Sequence, residues 1–278
     1  MGQFNPTRAA PRSRVRTSGT RARTIDGMNA LPVDPALADA ARAARRVVVF
    51  SGAGMSAESG VPTFRDAQTG LWERFSPEQL ASPEGWERDR GLVWAWYQWR
   101  TGLARRVQPH AGHHAIAQWA GRTGMTVITQ NVDDLHERAG SPVAAHLHGS
   151  LFAPRCSACG VAFPGDGGVD AEPTGPLAPP TCETCGGAVR PGVVWFGEAL
   201  PEDAWSRSTD AATDCDLMVV VGTSAVVYPA AELPLLAARS GATVVEINPE
   251  TTGLSDHVHH SWRTTASAGL PALLAAIG

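Results

Sequence analysis

Four of the chain's five cysteines stand in two pairs that have the spacing of metal ligands. Cys156-x-x-Cys159 and Cys182-x-x-Cys185 are separated by 22 residues. Two-residue spacing lets both thiolates of a pair face one tetrahedral ion, and four thiolates complete the coordination shell of zinc. Two disulfides or a redox dithiol are the alternatives, and disulfides are disfavoured without a secretory signal. We therefore predict one structural Zn²⁺ that folds its surroundings and leaves no position for a substrate.

A glycine turn after an apolar run predicts a phosphate-binding loop. In VVVFSGAGMSAESG (residues 47–60), Gly52-x-Gly54-x-x-Ala57 satisfies the loose dinucleotide-binding fingerprint. A nicotinamide dehydrogenase would also need a second strand that ends, about 20 residues after the glycines, in an acidic residue for the ribose. The corresponding stretch TFRDAQTGLWERF contains Glu73, but no β-branched run precedes it. The turn thus indicates a dinucleotide site, while this departure argues against hydride transfer.

Polar clusters follow each of five predicted strands. In an open α/β sheet the carboxyl ends of the strands form the ligand crevice, so the joint placement of these clusters suits one large polar ligand such as a dinucleotide. Any one cluster alone could equally be a turn or a helix cap. The clusters are SGAG at 51–54, TQNVD at 129–133, HLHG at 146–149, GTS at 222–224 and NPE at 248–250.

The elements that must position these residues predict an α/β fold, a Rossmann-like parallel sheet with helices on both faces and a small zinc-binding module. Short, apolar, β-branched runs predict the strands, and alanine-rich or aromatic segments between them predict helices. The Gly/Pro-rich stretch 152–191 lacks the apolar mass for a core of its own and would be the module. Strands are predicted at 46–52, 126–131, 144–149, 216–224 and 242–250, and helices at 35–46, 91–106 and 267–277.

Charge and hydropathy exclude several classes of function. Residues 1–30 contain six arginines and one acid, so we predict a disordered arginine-rich tail, with a transit peptide or a translation start at Met28 as alternatives. The remaining residues carry a net charge of −9, and only Arg155 and Arg190 lie near the cysteines, which disfavours a nucleic-acid-binding zinc ribbon. No apolar run approaches the roughly 20 residues of a membrane span. We expect a cytoplasmic monomer with neither nucleic-acid nor membrane partners.

An ordered set of motifs carries a family resemblance. The chain resembles the sirtuins, NAD-dependent protein lysine deacylases, in GAGMSAESGVPTFRD, TQNVDDLHERAG, HLHGS, the paired CxxC motifs, PGVVWFGE, GTSAVVYPAAELP and EINPE. The similarity runs from about Arg46 to the C-terminus. It implies that residues 31–278 form a catalytic domain, with the Rossmann-like part at about 35–151 and 192–278. It also implies that NAD is consumed as a co-substrate and that the partners are acylated-lysine proteins or peptides.

The resemblance further implies which residues hold NAD. The glycine turn would cradle the pyrophosphate. Residues 63–65 would belong to a mobile cofactor loop in place of the missing strand, and residues 130–133 would surround the nicotinamide and its ribose. Residues 222–224 would meet phosphate and ribose, residues 248–250 the adenosine end, and Ala266 the adenine. The full set is Gly52, Ala53, Gly54, Ser56, Glu58, Thr63, Phe64, Arg65, Gln130, Asn131, Val132, Asp133, His148, Gly222, Thr223, Ser224, Asn248, Pro249, Glu250 and Ala266.

In the reaction that the resemblance implies, His148 is the catalytic base, and Asn131 and Asp133 position ribose and water. The pattern alone leaves His146 and His148 open, because alternate residues of a strand share a face; the family's His-Gly step selects His148. The acyl-lysine carbonyl oxygen attacks C1′ of the nicotinamide ribose as nicotinamide leaves. The base then deprotonates a ribose hydroxyl, and water completes the release of free lysine and O-acyl-ADP-ribose.

Two groups of residues would recognise the substrate. VVWFGE (Val193, Val194, Trp195, Phe196, Gly197 and Glu198) matches the family's substrate-binding strand, along which an extended acyl-lysine peptide could pair its backbone. An ordinary core strand here would bury Val194 and Phe196. Tyr97 and Arg100, on one face of a predicted helix, resemble the pair that binds the carboxylate of succinyl or malonyl groups in class III sirtuins. An exposed tyrosine over an arginine is the plainer interpretation of that pair.

The sequence therefore predicts a desuccinylase or demalonylase with some deacetylase activity. The form VPTFRDA, in place of the IPDFR of many deacetylases, points the same way. A predominant deacetylase with the same mechanism is the first alternative. A Rossmann-fold NAD oxidoreductase and a zinc-ribbon module on an NAD-sensing domain are more distant ones.

Overall fold

Six parallel strands form the central sheet of the computed structural model, which describes Met1 and residues 31–63, 75–168 and 172–278. The strands lie in the order β3-β2-β1-β6-β7-β8. The chain adds strands toward one edge from β1 and toward the other edge from β6, so the order of connection reverses between these two parallel strands. This is the doubly wound order with its topological switch point at that pair. The strands are β1 (Arg46–Ser51), β2 (Gly124–Thr129), β3 (Val143–His146), β6 (Leu217–Val221), β7 (Thr243–Ile247) and β8 (His260–Trp262).

Alternate residues of the central strands enter two separate cores. Val47 and Val49 face one core and Val48 and Phe50 the other, because successive side chains of a strand point to opposite faces. Helices cover both faces, which explains why these strands are apolar throughout rather than alternating. The first core contains side chains of α1 (Pro35–Ala43), α6 (Ala111–Ala120) and α10 (Ala266–Ile277), and the second those of α8 (Glu202–Asp214) and α9 (Leu233–Arg239).

A third core, rich in tryptophan, lies beside the sheet. Its centre is α5 (Arg90–Arg106), which begins where the Asp89 carboxylate accepts a hydrogen bond from the Leu92 N–H at 2.9 Å. Trp94, Trp96 and Trp99 of α5 are buried here against Trp195. The remaining short helices are α2 (Gly54–Ala57), α3 (Pro77–Leu80), α4 (Pro83–Arg88) and α7 (Leu135–Arg138).

The cysteine-bearing segment has very little regular structure. Its strands β4 (Arg155–Cys156) and β5 (Val189–Arg190) are two residues long and antiparallel. Isolated bridges join Arg155 to Ala162 and Thr181 to Ala188, so each CxxC pair lies in its own turn. Val189 packs into the tryptophan core, and the described residues from Leu31 onward belong to one compact unit.

The predicted α/β class is confirmed, but several element boundaries differ from expectation. The predicted helix 35–46 ends at Ala43, because the chain must extend into β1 at Arg46. The strand predicted to reach Gly149 ends at His146, and β8 was not predicted at all. VVWFGE is not a strand; only Val193 forms a bridge, to Gly149. Among the described helices, none combines the length and the apolar character that a membrane span needs.

Candidate active site

A cavity of about 1210 Å³ opens at the carboxyl edge of the sheet, across the β1–β6 switch point. Every predicted site residue that the structure describes, other than the four cysteines, lies in its wall. Phe64 and Arg65 fall outside the described residues. The predicted residues that line the cavity are Gly52, Ala53, Gly54, Ser56, Glu58, Thr63, Tyr97, Arg100, Gln130, Asn131, Val132, Asp133, His148, Val193, Val194, Trp195, Phe196, Gly197, Glu198, Gly222, Thr223, Ser224, Asn248, Pro249, Glu250 and Ala266.

The glycines of the switch point are required by the packing of two loops against each other. The Gly54 N–H donates to the Gly222 carbonyl at 2.7 Å, and the Gly52 N–H donates to the Val221 carbonyl at 3.0 Å. A Cβ on Gly54 would lie 2.8 Å from the Gly222 oxygen, and one on Gly222 would lie 2.2 Å from the Met55 nitrogen. Gly222 also has a φ of 60°, which favours glycine. The helix α2 after the turn is only four residues long, and the N–H groups of Gly52 and Gly54 are already paired with carbonyls of the facing segment.

The structure distinguishes the two histidines that the pattern left open. His148 lies just beyond β3 and lines the cavity, and its Nδ1 lies 3.1 Å from the Gln130 carbonyl oxygen. Donation from Nδ1 to that carbonyl leaves Nε2 as the basic nitrogen of the neutral ring. Burial lowers the pKa of His148, with a smaller opposing effect of the Gln130 hydrogen bond, so the ring is neutral at pH 7. A neutral imidazole at a cavity wall is equipped to accept a proton.

His146 has a structural environment instead. Its Nδ1 lies 2.9 Å from the Asn131 carbonyl oxygen, and its Nε2 lies 2.5 Å from a Glu137 carboxylate oxygen. Burial opposes its charged form, but the hydrogen bonds with Glu137 and the Asn131 carbonyl raise the pKa of His146. Both ring nitrogens are therefore occupied by protein partners, and this side chain does not line the cavity.

Asn131 and Asp133 are buried polar residues after β2. Asn131 donates from Nδ2 to Ser56 Oγ at 3.0 Å, and its backbone N–H donates to Thr129 Oγ1 at 3.0 Å. Asp133 accepts from the Leu135 N–H at 3.2 Å, and its burial raises the pKa of the carboxyl. Hydrogen bonds thus hold both side chains in the cavity wall.

The opposite end of the cavity depends on a residue that sequence reasoning missed. Glu246, in the middle of β7, is 1% exposed and accepts hydrogen bonds from Ser255, Ser261 and Arg263 at 2.7, 2.9 and 2.6 Å, and one from Thr252. Burial opposes its ionisation, but these donors lower the pKa of Glu246. Thr252 lines the cavity, so the buried carboxylate fixes the loop that begins with Asn248.

Glu58 ties the glycine-rich segment to the start of α10. Its carboxylate accepts from the Ser267 N–H at 2.9 Å and from the Ser267 hydroxyl at 2.5 Å. Burial opposes ionisation, but these hydrogen bonds lower the pKa of Glu58. An ionised carboxylate here also complements the first turn of α10. Ala266, which precedes Ser267, is thereby held at the cavity wall.

Tyr97 and Arg100 lie together on the α5 face that lines the cavity. Tyr97 is 5% exposed, so the interpretation as an exposed surface tyrosine is wrong. The Arg100 guanidinium stacks 5.1 Å from the Trp96 ring centroid, a cation–π contact, and forms no salt bridge with any described carboxylate. Burial lowers the pKa of Arg100 and raises that of Tyr97, which leaves the tyrosine a neutral donor.

The segment 193–198 runs along the cavity with a burial pattern opposite to that of the predicted core strand. Val193 and Trp195 are buried, whereas Val194 is half-buried and Phe196 is 47% exposed. The Val194 N–H donates to the His148 carbonyl at 2.9 Å, and the Ser150 N–H donates to the Gly192 carbonyl at 3.1 Å. The expectation that Val194 and Phe196 are core residues is wrong, because the segment is a loop anchored at the other two side chains.

The four paired cysteines converge on one point, as predicted. Their sulfur atoms all lie within 4.8 Å of one another, with Cys156 Sγ 3.4 Å from Cys185 Sγ and Cys159 Sγ 3.8 Å from Cys182 Sγ. Sulfurs around a tetrahedral zinc with bonds of about 2.3 Å would be about 3.8 Å apart, so the cluster fits this ion. A Cβ on Gly187 would lie 3.0 Å from Cys156 Sγ, so glycine leaves room for the cluster. No disulfide joins the cysteines.

A second missed feature lies directly behind the cavity. His113 and His136 are buried with ring centroids 5.0 Å apart, and His110 stacks on His113 at 4.3 Å. His136 Nε2 lies 2.9 Å from Ser51 Oγ, which in turn donates to Thr129 Oγ1 at 2.8 Å. His110 and His113 lie at the start of α6 and His136 lies in α7, so the contact between the two segments could not be read from the local sequence.

The fold and the site together define an α/β protein with a ligand crevice at its switch point and a four-cysteine zinc module. A model of the Sir2 family matches residues 52–229. An NAD-dependent protein deacylase 2 from Corynebacterium efficiens is 52% identical over 241 residues, which cover 86% of this chain and 95% of that protein. An NAD-dependent protein deacylase from Mycobacterium leprae is 56% identical over 229 residues, which cover 82% and 96%.

Solved structures agree with these relatives. A crystal structure of a Sir2 homologue in complex with NAD matches with a TM-score of 0.81 at 43% identity, and the match covers 88% of this chain and 94% of that one. Both the extent of the match and its identity are far above what a shared fold alone requires. The chain belongs to the Sir2 family.

Proposed function

We propose that the protein is an NAD-dependent protein-lysine deacylase that favours succinyl and malonyl groups and removes acetyl groups by the same mechanism. The observation that carries the acyl preference is Arg100, a half-buried guanidinium beside Tyr97 that has no salt bridge with any described carboxylate. A desolvated cation is stabilised by an anionic partner, and the guanidinium geometry matches a carboxylate. His148 lies in the wall of the same cavity, so an acyl-lysine could reach both groups.

NAD, when bound, would supply an electrophilic ribose carbon for the carbonyl oxygen of the acyl-lysine and a ribose hydroxyl to receive the acyl group. The cavity fits this co-substrate because it extends across the switch point, from the Asn248 loop to His148, and exceeds the ~300–1,000 Å³ typical of small-molecule pockets. The glycine turn and Gly222 line the cavity at the switch point, where the pyrophosphate would lie against their backbone. The loop held by Glu246 and the segment around Ala266 enclose the adenosine end.

The chain's own residues would control the proton and the water. His148 Nε2 accepts a proton from a ribose hydroxyl, which the neutral state of the ring permits at pH 7. Asn131, fixed by Ser56, and Asp133 orient the ribose and the attacking water at the nicotinamide end. The four-cysteine zinc would hold the module together and take no part in bond breaking, because four thiolates close its shell.

An extended substrate backbone would lie along residues 193–198. Val194 is half-buried and Phe196 exposed there, and three further exposed apolar residues, Val226, Val227 and Tyr228, line the same cavity. Two apolar walls flank the entrance and suit an extended peptide that carries the modified lysine inward. Because zinc thiolates persist in a reducing compartment, we place the reaction in the cytoplasm.

Mass spectrometry of a single incubation tests the proposal. The protein is mixed with NAD and with paired succinyl- and acetyl-lysine peptides, and we expect both peptides to lose their acyl groups, the succinyl peptide faster, with O-acyl-ADP-ribose formed. His148→Tyr should abolish both reactions while zinc content stays unchanged. Arg100→Met should reduce desuccinylation selectively.

Three outcomes contradict parts of the proposal separately. If no acyl group is lost and reduced nicotinamide accumulates with a small substrate, the family reaction is wrong for this chain. If only the acetyl peptide reacts, the enzyme is a predominant deacetylase. If Arg100→Met lowers both rates equally, the assigned role of Arg100 is wrong.

A further inference from the structure

The ring of His146 lies between two hydrogen-bond acceptors that come from different segments. Its Nδ1 lies 2.9 Å from the Asn131 carbonyl oxygen, and its Nε2 lies 2.5 Å from a Glu137 carboxylate oxygen. A carbonyl and an ionised carboxylate only accept hydrogen bonds, and an imidazole donates from both nitrogens only when it is doubly protonated. With Glu137 ionised, the two contacts therefore require His146 to be an imidazolium.

The titratable groups around the ring favour this state. Burial opposes ionisation of Glu137, but the hydrogen bond with His146 lowers the pKa of that carboxyl. Burial also opposes the charge on His146, but the hydrogen bonds with Glu137 and the Asn131 carbonyl raise the pKa of the ring, and negative charge on Asp133 acts in the same direction. His136, which precedes Glu137 on α7, adds no opposing charge at pH 7, because burial lowers its pKa to about 4.

The same contacts close the loop between β2 and β3. His146 is the last residue of β3, Asn131 follows β2, and Glu137 lies in α7, which connects the two strands. Ala145 faces the core on the α8 side of the sheet, so His146 points to the opposite face, toward this connection. The N–H and the side chain of Asn131 both donate to hydroxyl groups, and its carbonyl faces His146. Of these three bonds, the one with His146 is the one that a change of pH near neutrality can alter.

A simple ion pair on the surface does not account for the arrangement. Solvent reaches part of the pair, since the His146 side chain is 21% exposed and that of Glu137 42%. Ion pairs with this degree of exposure contribute little to stability, so support of the fold explains neither the pairing nor the second bond to Asn131. The partial exposure does let the ring exchange its proton with the solvent.

We propose that His146 is a positioning residue: as an imidazolium bound to Glu137, it donates from Nδ1 to the Asn131 carbonyl and fixes the loop that presents Asn131 and Asp133 to NAD. The inference rests on the proposed roles of these two residues and deepens them. A neutral ring has one N–H for two acceptors, and it keeps that N–H on the carboxylate, because hydrogen bonds to charged groups are the stronger ones. Deprotonation would therefore release the buried Asn131 carbonyl.

Two replacements of His146 separate its two hydrogen bonds. In His146→Asn the amide N–H stands near the position of Nδ1 and can donate to the Asn131 carbonyl, whereas in His146→Gln it stands near that of Nε2 and can reach only Glu137. Glu137→Gln leaves the histidine in place and offers Nε2 a donor, so that a neutral ring can keep its N–H on Asn131. Glu87→Gln is the control, because it removes the carboxylate of another exposed ion pair, with Arg90.

Nicotinamide release is measured with acetyl- and succinyl-lysine peptides between about pH 6.5 and pH 9.5. Because the folded pKa of His146 is raised above its ordinary value of about 6.5, the wild-type kcat should fall as the pH rises through that folded value. At pH 7, His146→Gln should be about tenfold slower than His146→Asn with either peptide, since a buried acceptor that loses its donor costs about this factor. The alkaline fall should be absent from His146→Asn and Glu137→Gln and unchanged in Glu87→Gln.

The charge on the ring is measured without NAD. In ¹⁵N NMR spectra of the wild type at pH 7, we expect one histidine with both ring nitrogens protonated, whose signals disappear in His146→Asn. Urea unfolding at the same pH checks that His146→Asn and His146→Gln are equally stable, so that a difference in rate between them is not a difference in folding. A purely structural role of His146 would lower both stabilities and leave the pH profile of the remaining activity unchanged.

The results that overturn the inference are distinct from failure of the proposed function. If the wild type deacylates and His146→Gln is as fast as His146→Asn, or if the alkaline fall persists in both His146→Asn and Glu137→Gln, His146 does not position Asn131. A neutral His146 ring at pH 7 leads to the same conclusion. If the wild type releases no nicotinamide with either peptide, the proposed function is wrong and the positioning role falls with it, whatever the charge on the ring.

Discussion

Acidification is expected to destabilise the protein through the buried pair His113 and His136. Burial lowers the pKa of His113 to about 2, with a further contribution from neighbouring histidines, and lowers that of His136 to about 4. An unfolded histidine has a pKa of about 6.5. Both folded-state values are depressed, so below pH 6.5 the unfolded state binds more protons than the native state, and the free energy of unfolding falls with pH.

The magnitude follows from linkage. A histidine with an unfolded pKa near 6.5 and a folded pKa well below 5 loses about 1.9 kcal/mol of stability between pH 7 and pH 5. The pair together would lose about 4 kcal/mol, a large part of the roughly 5–15 kcal/mol that stabilises a typical domain. His146 acts in the opposite direction, because its folded pKa is raised, and the carboxylates with lowered pKa contribute only at more acidic pH.

Urea unfolding of matched variants isolates one member of the pair. His113 Nδ1 accepts a hydrogen bond from the His110 backbone N–H at 3.3 Å. His113→Asn keeps a hydrogen-bonding group at this position and removes one titrating group. Between pH 7 and pH 5 this variant should lose about 2 kcal/mol less than the wild type. His114→Asn, at an exposed position of the same helix, should behave like the wild type. Because His146 is unchanged in all three proteins, its opposing effect cancels in the comparison.

Equal losses of stability in the wild type and His113→Asn over this interval would contradict the role assigned to His113. The same cluster also contacts the residues that hold Asn131. Because Ser51 donates to Thr129, His136 Nε2 must donate to Ser51, and Thr129 Oγ1 accepts the Asn131 N–H. Charging this cluster in the native protein would disturb Asn131, but it requires a pH near the folded pKa of His136, about 4, so this contribution to the loss of deacylation should appear, reversibly, below pH 5. A rate at pH 4 equal to that at pH 5 would contradict this link.

Two further changes test the loop behind the adenosine end and the zinc module. Glu246→Gln should lower the free energy of unfolding by about 3 kcal/mol at pH 7, because it removes one partner of a buried ion pair and leaves the surrounding donors without a charged acceptor. It should also raise KM for NAD. The folded pKa of Glu246 is lowered, so this cost should shrink as pH falls below the unfolded value of about 4.3, whereas exposed Asp256→Asn in the same segment should cost little. An equal cost at pH 7 and pH 3.5, measured by urea unfolding, would contradict it. Cys182→Ser should remove the bound zinc in elemental analysis, whereas Cys215→Ser, at the buried thiol outside the module, should retain one ion per chain; zinc retained by Cys182→Ser would refute the four-thiolate site.

Local patterns predicted the sheet and the cavity because both depend on neighbours in the sequence. RVVVFS and LMVVV are strands for the reason the sequence suggests, as their side chains enter cores on both faces of the sheet. Polar residues directly after a parallel strand must lie at its carboxyl edge, so their meeting in one cavity follows from the fold class. The two glycines of the turn were predicted for their approach to phosphate, and their contact with the Gly222 loop was not.

Contacts between distant segments escaped prediction. Glu246 occupies a core position of VVEIN, and its burial as a carboxylate makes sense only with Ser261 and Arg263, which the chain supplies 15 and 17 residues later. β8 is only three residues long and is defined by its pairing with β7. VVWFGE was predicted to be a strand because it resembles the family's substrate-binding strand, but the turn at residues 196–197 and the anchoring of Trp195 reverse which side chains are buried.

Arg190 connects the cysteine-bearing segment to the cavity wall, because it stacks on Trp195. Arg190 belongs to β5, the short strand that follows the second cysteine turn. Its guanidinium stacks on Trp195 and forms an ion pair with Glu198. Loss of zinc would release β5, so Arg190 would no longer fix the Trp195 ring. The glycine turn and the Glu246 loop, which belong to the sheet, would keep their own hydrogen bonds. Partial zinc removal should therefore raise KM for a succinyl peptide before it raises KM for NAD, and the reverse order would show that the module does not support the acyl pocket.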